Sequence, residues 1–191
     1  GTSTTISGLA AGATYTYTVT NAEGCTSVAS GNIVINTQPV TPTAPLVGTI
    51  TQPTCTTATG SVVLNGLPAV GTWTINPGGI TGTGTSTTIS GLAAGATYTY
   101  TVTNAEGCTS VASGNIVINT QPVTPTAPLV GTITQPTCTT ATGSVVLNGL
   151  PAVGTWTINP GGITGTGTST TISGLAAGAT YTYTVTNAEG C

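Results

Sequence analysis

An all-β fold, built as a tandem array of small sandwich domains, is predicted by three observations. Residues 1–108 reproduce residues 84–191 without a change, so the same text recurs with a period of 83 residues. Across residues 96–103 hydroxyl and apolar side chains alternate: Tyr98, Tyr100 and Val102 fall on one face and Thr97, Thr99, Thr101 and Thr103 on the other. That is the period of a half-buried strand. Turn material such as Asn65-Gly66 and Pro77-Gly78-Gly79 separates such runs, and no helical period competes with them.

One period exceeds the units of solenoids and suits a domain that buries its own core. Its strands are expected, in order, over 46–54, 60–64, 71–76, 87–92, 96–103 and 110–119. Six or seven short strands with one Trp in the third and a Tyr opening the fifth fit an immunoglobulin-like (fibronectin type III-like) β-sandwich. Trp73 and its copy Trp156 are expected between the sheets. Leu92 precedes Tyr98 by six residues, a spacing that predicts a tyrosine corner, in which the hydroxyl ties back to upstream backbone. Tyr98 and its copies Tyr15 and Tyr181, with Leu92, complete the expected structural core. The array divides into 1–42, the C-terminal part of a truncated repeat plus linker; 43–125, a complete repeat; and 126–191, the N-terminal part of the next repeat, lacking its last strand. The text opens and closes within a repeat, so the expectation is that it continues beyond both ends.

Composition excludes most chemistry. The chain has no Lys, Arg or His, and its only charged side chains are Glu23, Glu106 and Glu189. Nucleic-acid binding depends on cations that release phosphate counterions, so no nucleic-acid partner is expected. General acid–base catalysis needs a titratable group near the working pH, and Ser, Thr and Cys have no imidazole or amine to activate them. Neither catalytic residues nor metal or cofactor sites are expected, since calcium needs clustered carboxylates and zinc four Cys, His or Asp ligands. A nearly uncharged surface favours association, so the expected partners are neighbouring repeats and neighbouring chains. Mean hydropathy of +0.34 argues for a folded rather than a disordered chain.

The frame Cys55, then Gly60-Ser-Val-Val-Leu64, Thr72-Trp73, Ile89-Ser-Gly-Leu-Ala-Ala-Gly95 and Tyr98-Thr-Tyr-Thr-Val-Thr-Asn-Ala-Glu-Gly-Cys108 resembles the repeats of the giant gliding-motility adhesins of Bacteroidota and related secreted surface proteins. The resemblance spans most of each repeat. It implies an extracellular or cell-surface location and a role in stalks or filaments that carry adhesion, and names no adhesion ligand.

Each full repeat carries two cysteines, and extracellular thiols favour disulfides. In a generic sandwich the loop holding Cys55 and the turn holding Cys108 lie at opposite poles, separated by a strand of roughly 30 Å. Cα atoms of a disulfide lie within about 7 Å. Pairing within one repeat, Cys55 with Cys108 and Cys138 with Cys191, therefore requires a different strand order. Pairing across the junction, Cys55 with Cys191, does not, and is favoured. Cys25 would find its partner beyond these residues. Prolines 122, 125 and 128 predict an extended, semi-rigid linker.

Two functions are expected to compete. Identical domains suit a structural filament or surface stalk, in which every junction must have the same geometry. The row Thr97, Thr99, Thr101 and Thr103 would then be an assembly face. Alternatively that row makes a threonine-rich binding module for ice or glycan, although sandwich strands twist and only one strand holds four Thr in register.

Overall fold

The computed structural model describes residues 3–191. Among them there is no helix; sixteen strands run in the order β1 (Thr14–Tyr15), β2 (Ile33–Val34), β3 (Leu46–Thr51), β4 (Thr59–Asn65), β5 (Trp73–Asn76), β6 (Ile80–Gly82), β7 (Ser86–Ala93), β8 (Thr97–Tyr98), β9 (Thr101–Thr103), β10 (Ile116–Val117), β11 (Leu129–Thr134), β12 (Thr142–Asn148), β13 (Trp156–Asn159), β14 (Ile163–Gly165), β15 (Ser169–Ala176) and β16 (Thr184–Thr186). The chain packs as two compact units. One comprises Gly1–Leu46, Asn65–Thr87 and Tyr100–Ser113; the other comprises Val47–Leu64, Thr88–Thr99 and Gly114–Cys191.

The second unit contains a sandwich built from residues 129–186. One sheet has the order β11-β12-β15 and the other β14-β13-β16. In the first sheet β12 alternates strictly, burying Val145 and Leu147 while Ser144, Val146 and Asn148 stay half-buried. In the second, Trp156 and Ile158 alternate on β13. These four side chains, with Leu150 and Ile172, make one apolar cluster between the sheets, with Val185 and Tyr183 against it. Burying each large side chain contributes roughly 1.5–3 kcal/mol, and the indole N–H keeps its bond by donating to the Gly167 carbonyl at 2.7 Å. Antiparallel pairing in this strand order is that of immunoglobulin-like and fibronectin type III-like domains.

Strict alternation fails in β15, where Ile172 and Leu175 point the same way three residues apart. The register explains it: Gly143 pairs with Leu175 but Ser144 with Ser173, leaving Gly174 as an extra residue. Gly174 has φ +77°, so this is a bulge that needs glycine and resets the parity of the strand.

The same unit holds the sheet β3-β4-β7 and the pair β10-β8. In β4, Gly60, Val62 and Leu64 point inward. The first unit holds the sheet β6-β5-β9 and the pair β1-β2. There Trp73 and Ile75 are buried, and the Trp73 indole donates to the Gly84 carbonyl at 2.7 Å.

Several expected strand limits change. The run 46–54 stops at Thr51, before Gln52 and Pro53, because proline cannot donate to a ladder. Residues 80–82, outside every expected strand, form β6, the return arm of a hairpin on β5. The run 96–103 splits in two: β8 pairs with β10, and β9 pairs with β5. The run 110–119 is strand only at β10. Upstream of it, Ser110 and Ser113 hydroxyls accept from the Val102 and Tyr100 N–H groups at 3.0 Å, replacing carbonyl rungs of a regular ladder.

Candidate functional site

The residues with chemistry to offer gather where one repeat meets the next, within the second unit. Cys55 lies in the loop after β3 and Cys191 in the turn after β16. The structure joins them by a disulfide, with Cα atoms 5.5 Å apart and 136 residues between them in sequence. Cys25, Cys108 and Cys138 are free thiols, so neither pairing within a repeat is present.

Two amides hold the same junction. Gln121, following β10, donates from Nε2 to the carbonyls of Thr54 at 3.2 Å and Cys55 at 3.4 Å, which fixes the cysteine loop against the linker. Asn187 Nδ2 donates to the Val123 carbonyl at 2.9 Å, while its Oδ1 accepts from the Cys191 N–H at 2.8 Å. One side chain thus fastens the linker and the cysteine turn together. In the first unit Asn104 repeats this with Val40 at 2.9 Å and Cys108 at 2.8 Å. This role of Asn104 is not among the sequence expectations; the visible signal was an amide four residues before each of Cys25, Cys108 and Cys191.

Beside the junction the two copies differ. In the second unit's residues 47–64, 88–99 and 114–119, β10 and the residues after it fill a groove between β3 and β8. Ile116 and Ile118 are 0% and 1% exposed. A Cβ on Gly60 would stand 2.7 Å from the Thr51 carbonyl oxygen and 3.0 Å from Ile118, so glycine is needed where β4 meets both. Gln52 binds the strand at both ends, donating to the Val117 carbonyl at 3.0 Å and accepting from the Asn119 N–H at 2.8 Å. In residues 130–181 the corresponding place is an open groove of about 350 Å³ between Val130, Ile133, Pro136, Val145, Leu175 and Tyr181.

The expected core tyrosines divide accordingly. Their hydroxyls all accept from backbone five residues upstream: Tyr15 from Ala10, Tyr98 from Ala93 and Tyr181 from Ala176, at 2.8–2.9 Å. Their burial differs. Tyr15 and Tyr98 are half-buried and Tyr181 is 41% exposed, so Tyr181 belongs to the groove wall and not to the core. Leu92, Trp73 and Trp156 are buried. The threonine row is not uniform either. Thr97 and Thr99 are exposed, whereas Thr101 and Thr103 are half-buried beside β5, and the Thr103 hydroxyl lies 2.8 Å from that of Thr109. The reason is the split between β8 and β9, which places the halves of the row in different pairs.

No protein-family model matches the chain. Over 120 residues, 54% of this chain, it is 38% identical to Chitinase A1 of Niallia circulans, and it covers 16% of that protein's length. Among solved structures it is similar to the FN1–FN3 domains of chicken CNTN1, at 13% identity over 88% of this chain and 69% of that one, with a TM-score of 0.28. So low a score carries no weight, and the fold rests on the strand order and register given above.

Proposed function

We propose that the chain is a structural segment of an extracellular filament or cell-surface stalk, in which identical β-sandwich repeats supply reach and stiffness for attachment. The observation that carries this is the brace at the junction, where the Cys55–Cys191 disulfide and the Asn187 amide act between one repeat and the next and Gln121 holds the cysteine loop against the linker. A covalent tie spanning 136 residues removes loop entropy worth roughly 5 kcal/mol in the chain-entropy picture. Placed between domains, it also restricts bending that a proline linker alone would allow. Disulfides persist in oxidising compartments, which supports a secreted or surface location. The near absence of charge supports association with further copies, and the resemblance to Bacteroidota adhesin repeats points the same way.

Electron microscopy of multi-repeat arrays, before and after reduction, tests this reading. Straight rods with an axial repeat of roughly 35–45 Å, turning flexible on reduction, are expected. Arrays that bend freely at every linker with the disulfide intact would sink it.

A threonine-rich module that binds glycan is the second reading, favoured by the likeness to part of a chitinase. Retention of the chain on chitin, lost on replacing Thr97 and Thr99 by Val, would support it. Passage through the column unretarded would dismiss it, and absence of thermal hysteresis would dismiss its ice-binding form.

A further inference from the structure

The sheet edges of a repeat are not treated alike. In the sandwich of residues 129–186, β11 is interrupted by a bulge between Val130 and Ile133 and bracketed by Pro128 and Pro136, and β14 is three residues long. Bulges, prolines and shortness each keep an edge from recruiting another strand. In the first unit β9, the counterpart of β16, is covered. Ser110 and Ser113 donate their N–H groups to the Val102 and Tyr100 carbonyls, and their hydroxyls accept from the Val102 and Tyr100 N–H groups. The remaining edge is β15, the outer strand of β11-β12-β15, which runs for eight residues without a charged side chain or a proline. Its copy β7 is likewise the outer strand of β3-β4-β7, so the bare edge belongs to the repeat and recurs with it. We infer that this edge pairs antiparallel with the same edge of a second copy of the chain, joining arrays side by side through Ser86–Ser90 and Ser169–Ser173.

The residues themselves select a second copy. The bulge at Gly174 leaves Ser169-Thr-Thr-Ile-Ser173 in unbroken register on β12, from Ser169 opposite Asn148 to Ser173 opposite Ser144. Turned against itself about Thr171, this run sets Thr171 opposite Thr171, Ser169 opposite Ser173 and Thr170 opposite Ile172. Residues directly opposite share a face of the sheet. The exposed hydroxyl row Ser169, Thr171 and Ser173 therefore meets its own kind, while half-buried Thr170 and buried Ile172 continue the inner face. Opposed threonines and branched side chains are favourable cross-strand neighbours, and a twofold contact needs only one self-complementary patch.

The backbone supplies the rest. Alternate residues of an edge strand turn both N–H and C=O outward, and in the pair these groups exchange water for each other with no charge desolvated. Two three-stranded sheets become one continuous sheet across two chains. Five paired residues span roughly 17 Å, a short contact whose formation depends on concentration. The contact rests on the filament reading and supplies the lateral partner that reading leaves open; it does not use the row Thr97 to Thr103.

Size-exclusion chromatography with light scattering tests the inference on the full chain, with the Cys25, Cys108 and Cys138 thiols capped. Mass is expected to rise above 18.4 kDa as concentration increases. The central position of the run is exposed in every copy, so Thr5→Lys, Thr88→Lys and Thr171→Lys together leave the sandwich folded, as circular dichroism checks. They set like charges opposite each other at the twofold, and the dissociation constant is expected to rise roughly fivefold or more. Glutamate at the same three positions is expected to act alike. An equimolar mixture of the lysine and glutamate variants is expected to regain the parent's mass, because opposite charges then face each other. A parent monomeric at every concentration, a lysine variant that associates as readily as the parent, or a mixture that stays monomeric would overturn the pairing. None of these results touches the rod reading, which is judged by the straightness of single arrays.

Discussion

Residues 46–108 and 129–191 are the same letter for letter, yet they do not present the same surface. Trp73 and Trp156 are 2% exposed in both, and Ile75 and Ile158 are fully buried in both. By contrast Ile50 is half-buried where Ile133 is exposed, and Thr97–Tyr98 is a strand where residues 180 and 181 are not. Every difference named here lies beside the place taken by residues 116–118. The central β-strands carry their own burial pattern, while the flank of the sandwich depends on one short segment supplied from further along the text. Local alternation sets which face can be buried; a non-local strand decides whether it is.

The largest test of that contrast is a pair that should not differ. Trp73→Ala and Trp156→Ala are each expected to cost about 3–5 kcal/mol in urea unfolding, and a gap above about 1 kcal/mol between them would show that the influence of residues 116–118 reaches the core centre. Next comes a pair that should differ strongly. Ile118→Ala removes a side chain that is 1% exposed and is expected to cost about 2–5 kcal/mol, whereas Ile35→Ala in the monomeric chain should fall within about 0.5 kcal/mol of zero. Equal losses would refute the groove as the source of the difference. Ser113→Ala strips the acceptor from the buried Tyr100 N–H and should cost about 1–3 kcal/mol; the same change at exposed Ser30, whose hydroxyl serves Tyr17, leaves water to replace it and should shift stability far less. Smallest is Tyr98→Phe, expected to lose about 0.5–1.5 kcal/mol with the Ala93 N–H contact.

The all-β class was legible because β4 and β5 obey period two and hold the branched and aromatic residues that suit a pleated, half-buried surface. The third-strand Trp and the six-residue step from Leu92 to Tyr98 carried the sandwich. Other features were hidden for physical reasons. Ile80-Thr-Gly82 is too short to show a period, and it becomes a strand only by pairing with β5. Residues 110–113 look like strand because Ser can occupy one, but their hydroxyls substitute for the ladder. The bulge at Gly174 shifts parity through a single positive φ, which no alternation rule registers. At the junction, the loop carrying Cys55 and the turn carrying Cys191 could be placed from strand order, whereas the roles of Gln121 and Asn187 depend on carbonyls far away in sequence.

The central claim is that consecutive repeats are covalently braced through Cys55 and Cys191. The most direct measurement is a count of free thiols on the monomeric chain, unfolded without reductant. The brace leaves Cys25, Cys108 and Cys138 free, so three thiols per chain are predicted. One thiol per chain, the number left among five cysteines when Cys55 pairs with Cys108 and Cys138 with Cys191, would contradict it.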